Sequence, residues 1–206
     1  MKFVYLHGFA SSPASKKAQY FRRRFLERGL ELEIPDLAAG DFENLTVTGQ
    51  LAVIERAAQG EPVSLFGSSM GGYLAALYAS LHPETASCAL MAPAFHFAKL
   101  WGPELAGWKR DGYLEVQHYG EGRPARVSYA LIEDALRYPD EPSFPQPALI
   151  FHGTNDSVVP YRASVEFAAR HPNARLELFD SGHELTDVVD RIWAICARHH
   201  PHLATA

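Results

Sequence analysis

The sequence predicts an α/β fold in which a parallel sheet is covered by helices on both faces. Short aliphatic or β-branched runs alternate with longer amphipathic stretches, which is the pattern of parallel strands joined by crossover helices. The short runs are apolar almost throughout, as expected of strands that are covered on both faces. The chain has 206 residues, of which 47% are hydrophobic and 21% are charged. A chain of this kind buries a core without disulfides or metal, so we expect a single domain over residues 1–206.

Six stretches are predicted to form strands, and they lie near residues 2–6, 31–34, 62–66, 87–92, 147–152 and 174–179. The amphipathic stretches between them are predicted to form helices near residues 13–28, 46–58, 70–81, 127–137, 161–170 and 185–198. Glycine and proline separate several of these elements; Gly60 and Pro62, for example, lie between the second helix and the third strand. We therefore expect about six strands that alternate with helices.

Residues 93–126 interrupt this alternation. The stretch is rich in aromatic residues, glycine and proline, so it is too apolar for a solvated linker and too interrupted for one long helix. Long insertions in compact α/β domains are more often functional than accidental, and lids over binding sites are a common case. We predict a small lid insertion here.

The composition argues against several classes of function. The net charge of -5 gives the chain no overall basic surface for a nucleic acid. No window has the apolar length of a membrane-spanning helix, and the first residues enter a predicted strand without the pattern of a signal peptide. Cys88 and Cys196 lie in apolar stretches and are interpreted as buried free thiols, which favours a reducing compartment. We expect a soluble, cytoplasmic protein that binds neither nucleic acid nor a membrane.

No spacing of cysteine and histidine resembles a structural zinc site. The tail Arg198-His199-His200-Pro201-His202 carries several imidazoles, which are common metal ligands. Its position at the chain end favours a frayed terminus instead, so no metal site is predicted.

The run Gly67-Ser68-Ser69-Met70-Gly71 matches the pattern G-x-S-x-G at the junction of a predicted strand and a predicted helix. Glycines two positions before and after the serine allow a tight, strained turn that presents the hydroxyl at the edge of the sheet. Ser69 is therefore the candidate nucleophile. The pentapeptide alone is a weak signal, because such a turn also serves simply to pack a helix against a strand.

A serine nucleophile needs a general base, and the base needs an orienting group. His183 follows the predicted strand 174–179 and Asp156 follows the strand 147–152, so both lie at the carboxyl edge of the sheet, where sites form. The chain order Ser69, Asp156, His183 is characteristic of α/β-hydrolases. We predict that these residues form a catalytic triad, although Asp156 alone is also typical of a turn.

The tetrahedral intermediate of acyl transfer needs hydrogen-bond donors for its oxyanion. The backbone N–H of Met70, the residue after the nucleophile, is predicted to supply one. Phe9, in the loop after the first strand, is predicted to supply the other, because Gly8 allows a close backbone approach. His7 is interpreted as a structural residue that fixes this loop.

The run Tyr5-Leu6-His7-Gly8-Phe9-Ala10-Ser11-Ser12-Pro13 and the motifs GSSMGG and HGTNDSVVP resemble the α/β-hydrolase superfamily. Within it, the first run resembles the small YqiA/YcfP-type serine esterases. The resemblance implies hydrolysis of carboxylic esters or thioesters through an acyl-enzyme, without a cofactor. It also implies a reduced hydrolase fold with about six parallel strands in the spatial order 2-1-3-4-5-6.

The lid contains the candidate substrate-binding side chains. They suit an apolar pocket for an acyl or aryl group, although they are equally suited to burial against the sheet or a partner subunit. These candidates are Phe95, Phe97, Leu100, Trp101, Trp108 and Tyr113. Parts of the lid also resemble relatives that cleave acyl glucuronides or palmitoyl thioesters.

We therefore predict a serine esterase or thioesterase that acts on a small-molecule ester or thioester with a small to medium acyl group. A peptidase or lyase with the same triad is an alternative, because a fold does not determine the chemistry. A second alternative is a non-catalytic ligand-binding or interaction module that uses the aromatic insertion as a docking surface.

Overall fold

The computed structural model describes residues 1–200 and Leu203; Pro201 and His202 of the predicted tail lie outside the described residues. The described part contains seven strands: β1 (Lys2–Leu6), β2 (Val63–Ser68), β3 (Ser87–Met91), β4 (Tyr113–His118), β5 (Arg123–Ser128), β6 (Ala148–Gly153) and β7 (Ala174–Phe179). Five of them form a parallel sheet in the spatial order β1-β2-β3-β6-β7, and β4 and β5 form a separate antiparallel hairpin. The same part contains seven α-helices: α1 (Lys16–Leu26), α2 (Val47–Ala58), α3 (Met70–Leu81), α4 (Glu104–Asp111), α5 (Ala130–Ala135), α6 (Tyr161–Arg170) and α7 (Val189–His199).

Side chains on the two faces of the sheet enter two separate hydrophobic clusters, because successive residues of a strand point to opposite faces. In β1, Val4 and Leu6 belong to the cluster that includes residues of α2, α3 and α6, whereas Phe3 and Tyr5 belong to the cluster with α1 and α7. The central strands β2, β3 and β6 are buried along their whole length. Helices therefore cover both faces of the sheet, and the predicted α/β fold class is confirmed.

The predicted strand 31–34 is the main difference between the predicted and the observed sheet. Only Glu33 pairs with β1: Tyr5 N donates to Glu33 O at 2.8 Å, and Glu33 N donates to Phe3 O at 2.9 Å. The segment lies beside β1, where the order 2-1-3-4-5-6 places it. Pro35 has no N–H and therefore cannot extend the ladder. The parallel sheet thus has five strands rather than the six predicted.

The helices α3 and α6 have the bounds that the sequence predicts, whereas others are shorter. α1 begins at Lys16 rather than near residue 13, because the Ser15 hydroxyl caps it by accepting a hydrogen bond from Ala18 N. α7 begins four residues after Leu185, whose φ of 54° is incompatible with a right-handed helix.

The predicted insertion, residues 93–126, contains a short 3₁₀ helix (Phe97–Lys99), α4 and most of the β4–β5 hairpin. The hairpin continues to Ser128, which is why α5 begins later than predicted. Trp108 of α4 is buried, and its Nε1–H donates to Val127 O of β5 at 3.0 Å. At the hairpin turn, Tyr119 N donates to Ala10 O at 2.8 Å, which joins the insertion to the loop after β1.

The end of α7 packs into the core rather than fraying at His200. This side chain is buried, and its Nε2 lies 3.0 Å from Ser87 Oγ at the start of β3.

Cys88 and Cys196 are buried, unpaired thiols. Within residues 1–200, no three His, Cys, Asp or Glu side chains are grouped so as to hold a metal ion. No helix in this range combines the length and hydrophobicity needed to cross a bilayer.

We predict that Trp108→Phe lowers the free energy of unfolding by about 1 to 3 kcal/mol, because it removes the buried hydrogen bond to Val127 and part of the ring volume. Trp101→Phe is the matched control, since the Nε1 of Trp101 has no hydrogen-bond partner among the described residues. Urea denaturation of both variants measures the difference. Equal losses in the two variants would contradict a role for the hydrogen bond.

Candidate active site

Ser69 lies between the last residue of β2 and the first residue of α3. Its φ of 54° and ψ of -119° lie outside the regions that residues with a side chain normally adopt. Hydrogen bonds on both sides of the residue hold this conformation: Ser69 N donates to Met91 O at 2.8 Å, and Ala94 N donates to Ser69 O at 3.0 Å. The G-x-S-x-G run therefore forms a strained turn between strand and helix.

Gly67 and Gly71 are required by the close approach of backbone segments at this turn. A Cβ atom at Gly67 would overlap the carbonyl group of Gly71, and one at Gly71 would overlap the carbonyl group of Leu6. The backbone of α3 thus contacts the backbone of β1 and β2 directly. This crossing places Ser69 at the amino end of α3, where the helix dipole favours negative charge.

His183 joins Ser69 to Asp156 by hydrogen bonds. Its Nδ1 lies 2.7 Å from Asp156 Oδ2, and its Nε2 lies 3.0 Å from Ser69 Oγ. Because a carboxylate only accepts, Nδ1 carries the proton, and Nε2 of the neutral ring accepts from the Ser69 hydroxyl. The structure thus brings the three predicted triad residues together, in the arrangement of a nucleophile, a base and an orienting acid.

The carboxylate of Asp156 is fully buried and accepts hydrogen bonds at both oxygens. Oδ1 accepts from Val158 N and Val159 N at 2.8 Å each. Oδ2 accepts from His183 and, at 3.2 Å, from Nε2 of His152. Burial alone would raise the pKa of Asp156, but the hydrogen bonds from His152, His183 and Val159 outweigh it and hold this pKa well below its usual value. Asp156 therefore stays ionised at neutral pH.

His152 is a second, completely buried imidazole at this site, and it was not predicted from the sequence as a site residue. Its Nε2 lies near two acceptors, Asp156 Oδ2 and Val159 O (3.1 Å), so this nitrogen carries the proton. Its Nδ1 lies 2.7 Å from Ser164 Oγ of α6 and accepts from that hydroxyl. His152 thus ties the carboxylate of Asp156 to β6 and α6. The sequence feature that could have indicated this role is a polar residue, His152, in the otherwise apolar strand β6.

The loops that follow β6 and β7 are bonded to each other. Asn155 N donates to Ser181 O at 3.0 Å, and Asn155 Nδ2 donates to Asp180 Oδ1 at 2.7 Å. A Cβ atom at Gly153 would overlap Ser181 O, so a glycine is needed for this approach. These contacts fix the loop that carries Asp156 relative to the loop that carries His183.

The loop after β1 passes close to the Ser69 side chain. A Cβ atom at Gly8 would lie only 3.4 Å from Ser69 Cβ. The backbone N–H groups of Phe9 and Met70, the predicted oxyanion donors, donate to no acceptor within the described residues. Both N–H groups are therefore free to bond a developing negative charge.

His7 has the structural position predicted for it. Its Nδ1–H donates to Gly8 O at 3.0 Å, and its Nε2 accepts from Leu37 N at 3.2 Å. Burial lowers the pKa of His7, which keeps the ring neutral and preserves this pair of contacts. The imidazole therefore anchors the loop after β1, which contains Gly8 and Phe9 and is called the Phe9 loop below, to the segment after Pro35.

Three of the lid candidates make no ring contact with Phe9, although one of them, Trp108, packs against Trp101 with ring centroids 4.9 Å apart. Phe95 is a core residue whose ring stacks on Phe167 at 4.5 Å, and Trp108 is 1% exposed in the same core cluster. Tyr113 is 42% exposed on the hairpin, where the guanidinium of Arg126 lies 4.3 Å from its ring centroid. Phe95 and Trp108 are therefore buried in the core, and Tyr113 lies on the surface of the hairpin.

Two other lid candidates, Trp101 and the buried Phe97, form an aromatic wall with Phe9 and Phe42. The ring of Phe9 lies 5.3 Å from that of Trp101, 6.4 Å from that of Phe97 and 5.5 Å from that of Phe42. Leu100 is partly buried and packs against the same core cluster. Phe42 was not predicted from the sequence, because it lies outside the insertion and reaches the wall only in the folded chain.

A family model described as "Uncharacterised protein family (UPF0227)" matches residues 2–199. The chain belongs to the UPF0227 family. The matched range includes the Phe9 loop, the Ser69 turn and the loops of Asp156 and His183, and the resemblance to YqiA-type proteins is confirmed. None of the curated proteins compared with the chain by sequence matches it.

Solved structures of other proteins share this α/β-hydrolase fold with the UPF0227 chain. Alpha/beta hydrolase domain-containing protein 10 from mouse is 19% identical, with a TM-score of 0.79 over 100% of this chain and 90% of the mouse chain. Est1E from Butyrivibrio proteoclasticus is 20% identical, with a TM-score of 0.74 over 95% of this chain and 86% of Est1E. A metagenome-derived lipolytic enzyme is 21% identical, with a TM-score of 0.73 over 96% of this chain and 94% of the enzyme.

We predict that His152→Phe lowers kcat/KM for ester hydrolysis by about 10- to 100-fold, because Asp156 loses a hydrogen bond and no longer orients the base as well. The phenyl ring keeps most of the buried volume. Steady-state kinetics measures the effect, with His171→Phe as the control, since His171 bonds Phe167 O and Ser143 Oγ instead. A normal kcat/KM in His152→Phe would contradict the positioning role.

We predict that Asp156 is fully ionised at about pH 4, where a solvated aspartate is half protonated. Because its folded-state pKa lies below the unfolded value, its contribution to stability is present above about pH 4 and declines as the pH falls further. Carboxyl ¹³C NMR, assigned with Asp156→Asn, measures the titration. A midpoint at or above the ordinary aspartate value would contradict the effect of its hydrogen bonds.

Proposed function

We propose that the protein is a serine hydrolase that cleaves carboxylic esters or thioesters through an acyl-enzyme on Ser69. The observation that carries the proposal is the pair of hydrogen bonds made by His183, 2.7 Å to Asp156 and 3.0 Å to Ser69. This pair fixes the unprotonated Nε2 at the serine hydroxyl, where a general base is needed.

In the acylation step, Ser69 Oγ attacks the substrate carbonyl carbon while its proton moves to His183 Nε2. The carbonyl π electrons move to the oxygen, which becomes the oxyanion of a tetrahedral intermediate. The N–H groups of Phe9 and Met70 are the donors available to it, and the amino end of α3 adds positive potential.

The intermediate collapses when the oxyanion re-forms the carbonyl and the bond to the leaving group breaks. His183 gives its proton to the departing alcohol or thiol, which leaves Ser69 acylated. A water molecule then attacks the acyl carbon, again with His183 as the base, and the acid and free serine are released. Buried, ionised Asp156 stabilises the imidazolium that forms in each half of the cycle.

The aromatic wall of Phe9, Phe42, Phe97 and Trp101 supports an apolar acyl or aryl group of small to medium size as the substrate part bound beside the oxyanion donors. Est1E, which has the same fold, has been solved with ferulic acid bound. We include aromatic acids among the acyl groups that the site accepts, on the basis of this wall.

A peptidase or lyase would use the same triad, so the substrate series must separate these chemistries. A non-catalytic binding module has no need for an unprotonated imidazole nitrogen held at a serine hydroxyl. The hydrogen bonds of His183 therefore favour the hydrolase over the module.

We predict that the protein hydrolyses p-nitrophenyl esters and that Ser69→Ala lowers kcat by about 10⁴-fold or more with the fold retained. The series runs from acetate to palmitate and includes an aryl ester such as the ferulate. We expect activity to peak at short or medium acyl length.

Ser69→Ala is the blank for every substrate, and circular dichroism checks that it is folded. Activity of Ser69→Ala equal to that of the unmodified protein would overturn the proposal. Hydrolysis of peptides but not of esters or acyl thioesters would replace it with the peptidase alternative.

A further inference from the structure

Lys17 lies in the first turn of α1, and its side chain points into the core rather than into solvent. It is 7% exposed, and its Nζ donates to Ser68 Oγ at 2.8 Å. Ser68 is the last residue of β2, is itself 7% exposed, and directly precedes Ser69. A buried ammonium is therefore bonded to the residue next to the proposed nucleophile.

The groups around this ammonium come from four elements. Ser68 ends β2, Tyr5 lies on the neighbouring β1, and the acidic residues Glu184 and Asp156 lie in the loops after β7 and β6. Burial raises the pKa of Tyr5 far above its usual value, so its hydroxyl stays neutral. Burial lowers the pKa of Lys17 to about 8, although Glu184 and Asp156 act in the opposite direction.

Packing alone gives no reason for a charge at this position. Removing an ammonium from water is unfavourable, and the lowered pKa of Lys17 means that its charge destabilises the fold at neutral pH. Among the described residues, Ser68 is the one hydrogen-bond acceptor of an ammonium that has three N–H donors. An apolar side chain of the same length would avoid this cost of burying a charge.

We propose that Lys17 is a positioning residue of the active site, whose ammonium holds Ser68 and thereby fixes the strained peptide that presents Ser69. This proposal rests on the proposed function of Ser69. Ser69 is held on its own amide by Met91 O and on its carbonyl by Ala94 N. The contact of Lys17 with Ser68 is the corresponding restraint on the residue before Ser69, at the end of β2.

A loss of this restraint lets the residue before Ser69 relax, so that the serine Oγ is less often within hydrogen-bond distance of His183. Small displacements of this kind reduce the rate by about 10- to 100-fold. A neutral amine donates a weaker hydrogen bond than an ammonium. The restraint is therefore strongest below about pH 8 and weakens as Lys17 loses its proton above that pH.

The test is the rate at which a fluorophosphonate labels Ser69, measured from about pH 5.5 to 9.5. The variants are Lys17→Met, which keeps the length of the side chain, Ser68→Ala, and the double variant. Lys16→Met is the matched control, because Lys16 is the exposed neighbour on the same helix. Thermal unfolding of each variant is measured in parallel.

We expect Lys17→Met and Ser68→Ala each to be labelled about 10- to 100-fold more slowly than the unmodified protein at pH 7. The double variant should be no slower than the slower single variant, because the two side chains act as a unit. Lys17→Met should unfold at the same or a higher temperature, and Lys16→Met should be labelled normally. The labelling rate of the unmodified protein should fall above about pH 8, and that of Lys17→Met should not.

The proposal is overturned if Lys17→Met is labelled at the normal rate. It is also overturned if the labelling rate of the unmodified protein does not fall above about pH 8. Slow labelling of Lys17→Met with normal labelling of folded Ser68→Ala also overturns it, because Lys17 then does not act through Ser68. If Lys17→Met does not fold, the labelling rate of Ser68→Ala alone tests the proposal. An absence of labelling of Ser69 in the unmodified protein would instead be a failure of the proposed function.

Discussion

The geometry of the site depends on the crossing of α3 over the ends of β1 and β2. Backbone contacts backbone there, so the positions of Gly67 and Gly71 leave no space for side chains. The chain turns within one residue, Ser69, which adopts a positive φ as a result. Because Met91 O at the end of β3 and Ala94 N in the segment after it hold that residue, three adjacent strands determine where its hydroxyl lies. A site fixed in this way is more rigid than one carried by loops alone.

Two buried charges of opposite sign lie near this turn, and their surroundings differ. Asp156 receives four hydrogen bonds, which offset the effect of burial and keep it ionised. Among the residues that the structure describes, Lys17 donates to Ser68 alone, so burial dominates and moves its pKa to about 8, within the range where enzymes work. The number of hydrogen-bond partners thus decides whether a buried charge is permanent or titrates near neutral pH.

The parts of the molecule that could be predicted from the sequence are those fixed by strand ends. The triad positions each follow an apolar run closely, and carboxyl ends of parallel strands meet at one edge of the sheet. The segment 31–34 was predicted as a strand because its local pattern does not show that Pro35 limits it to one bridge. The roles of Lys17 and His152 depend on contacts between distant elements; Lys17 and Ser68 are 51 residues apart in the chain. Helical or strand periodicity carries no information about such a contact.

The insertion supports the Phe9 loop. Ala10 has a φ of 52°, and its carbonyl accepts from Tyr119 N at the turn of the β4–β5 hairpin. A Cβ atom at Gly120 would overlap the side chain of Ser12, so the hairpin turn packs closely against this loop. An outward movement of the hairpin would break the bond to Ala10, one residue from the predicted oxyanion donor Phe9. Substrate entry by opening of this hairpin would therefore disturb the predicted oxyanion site.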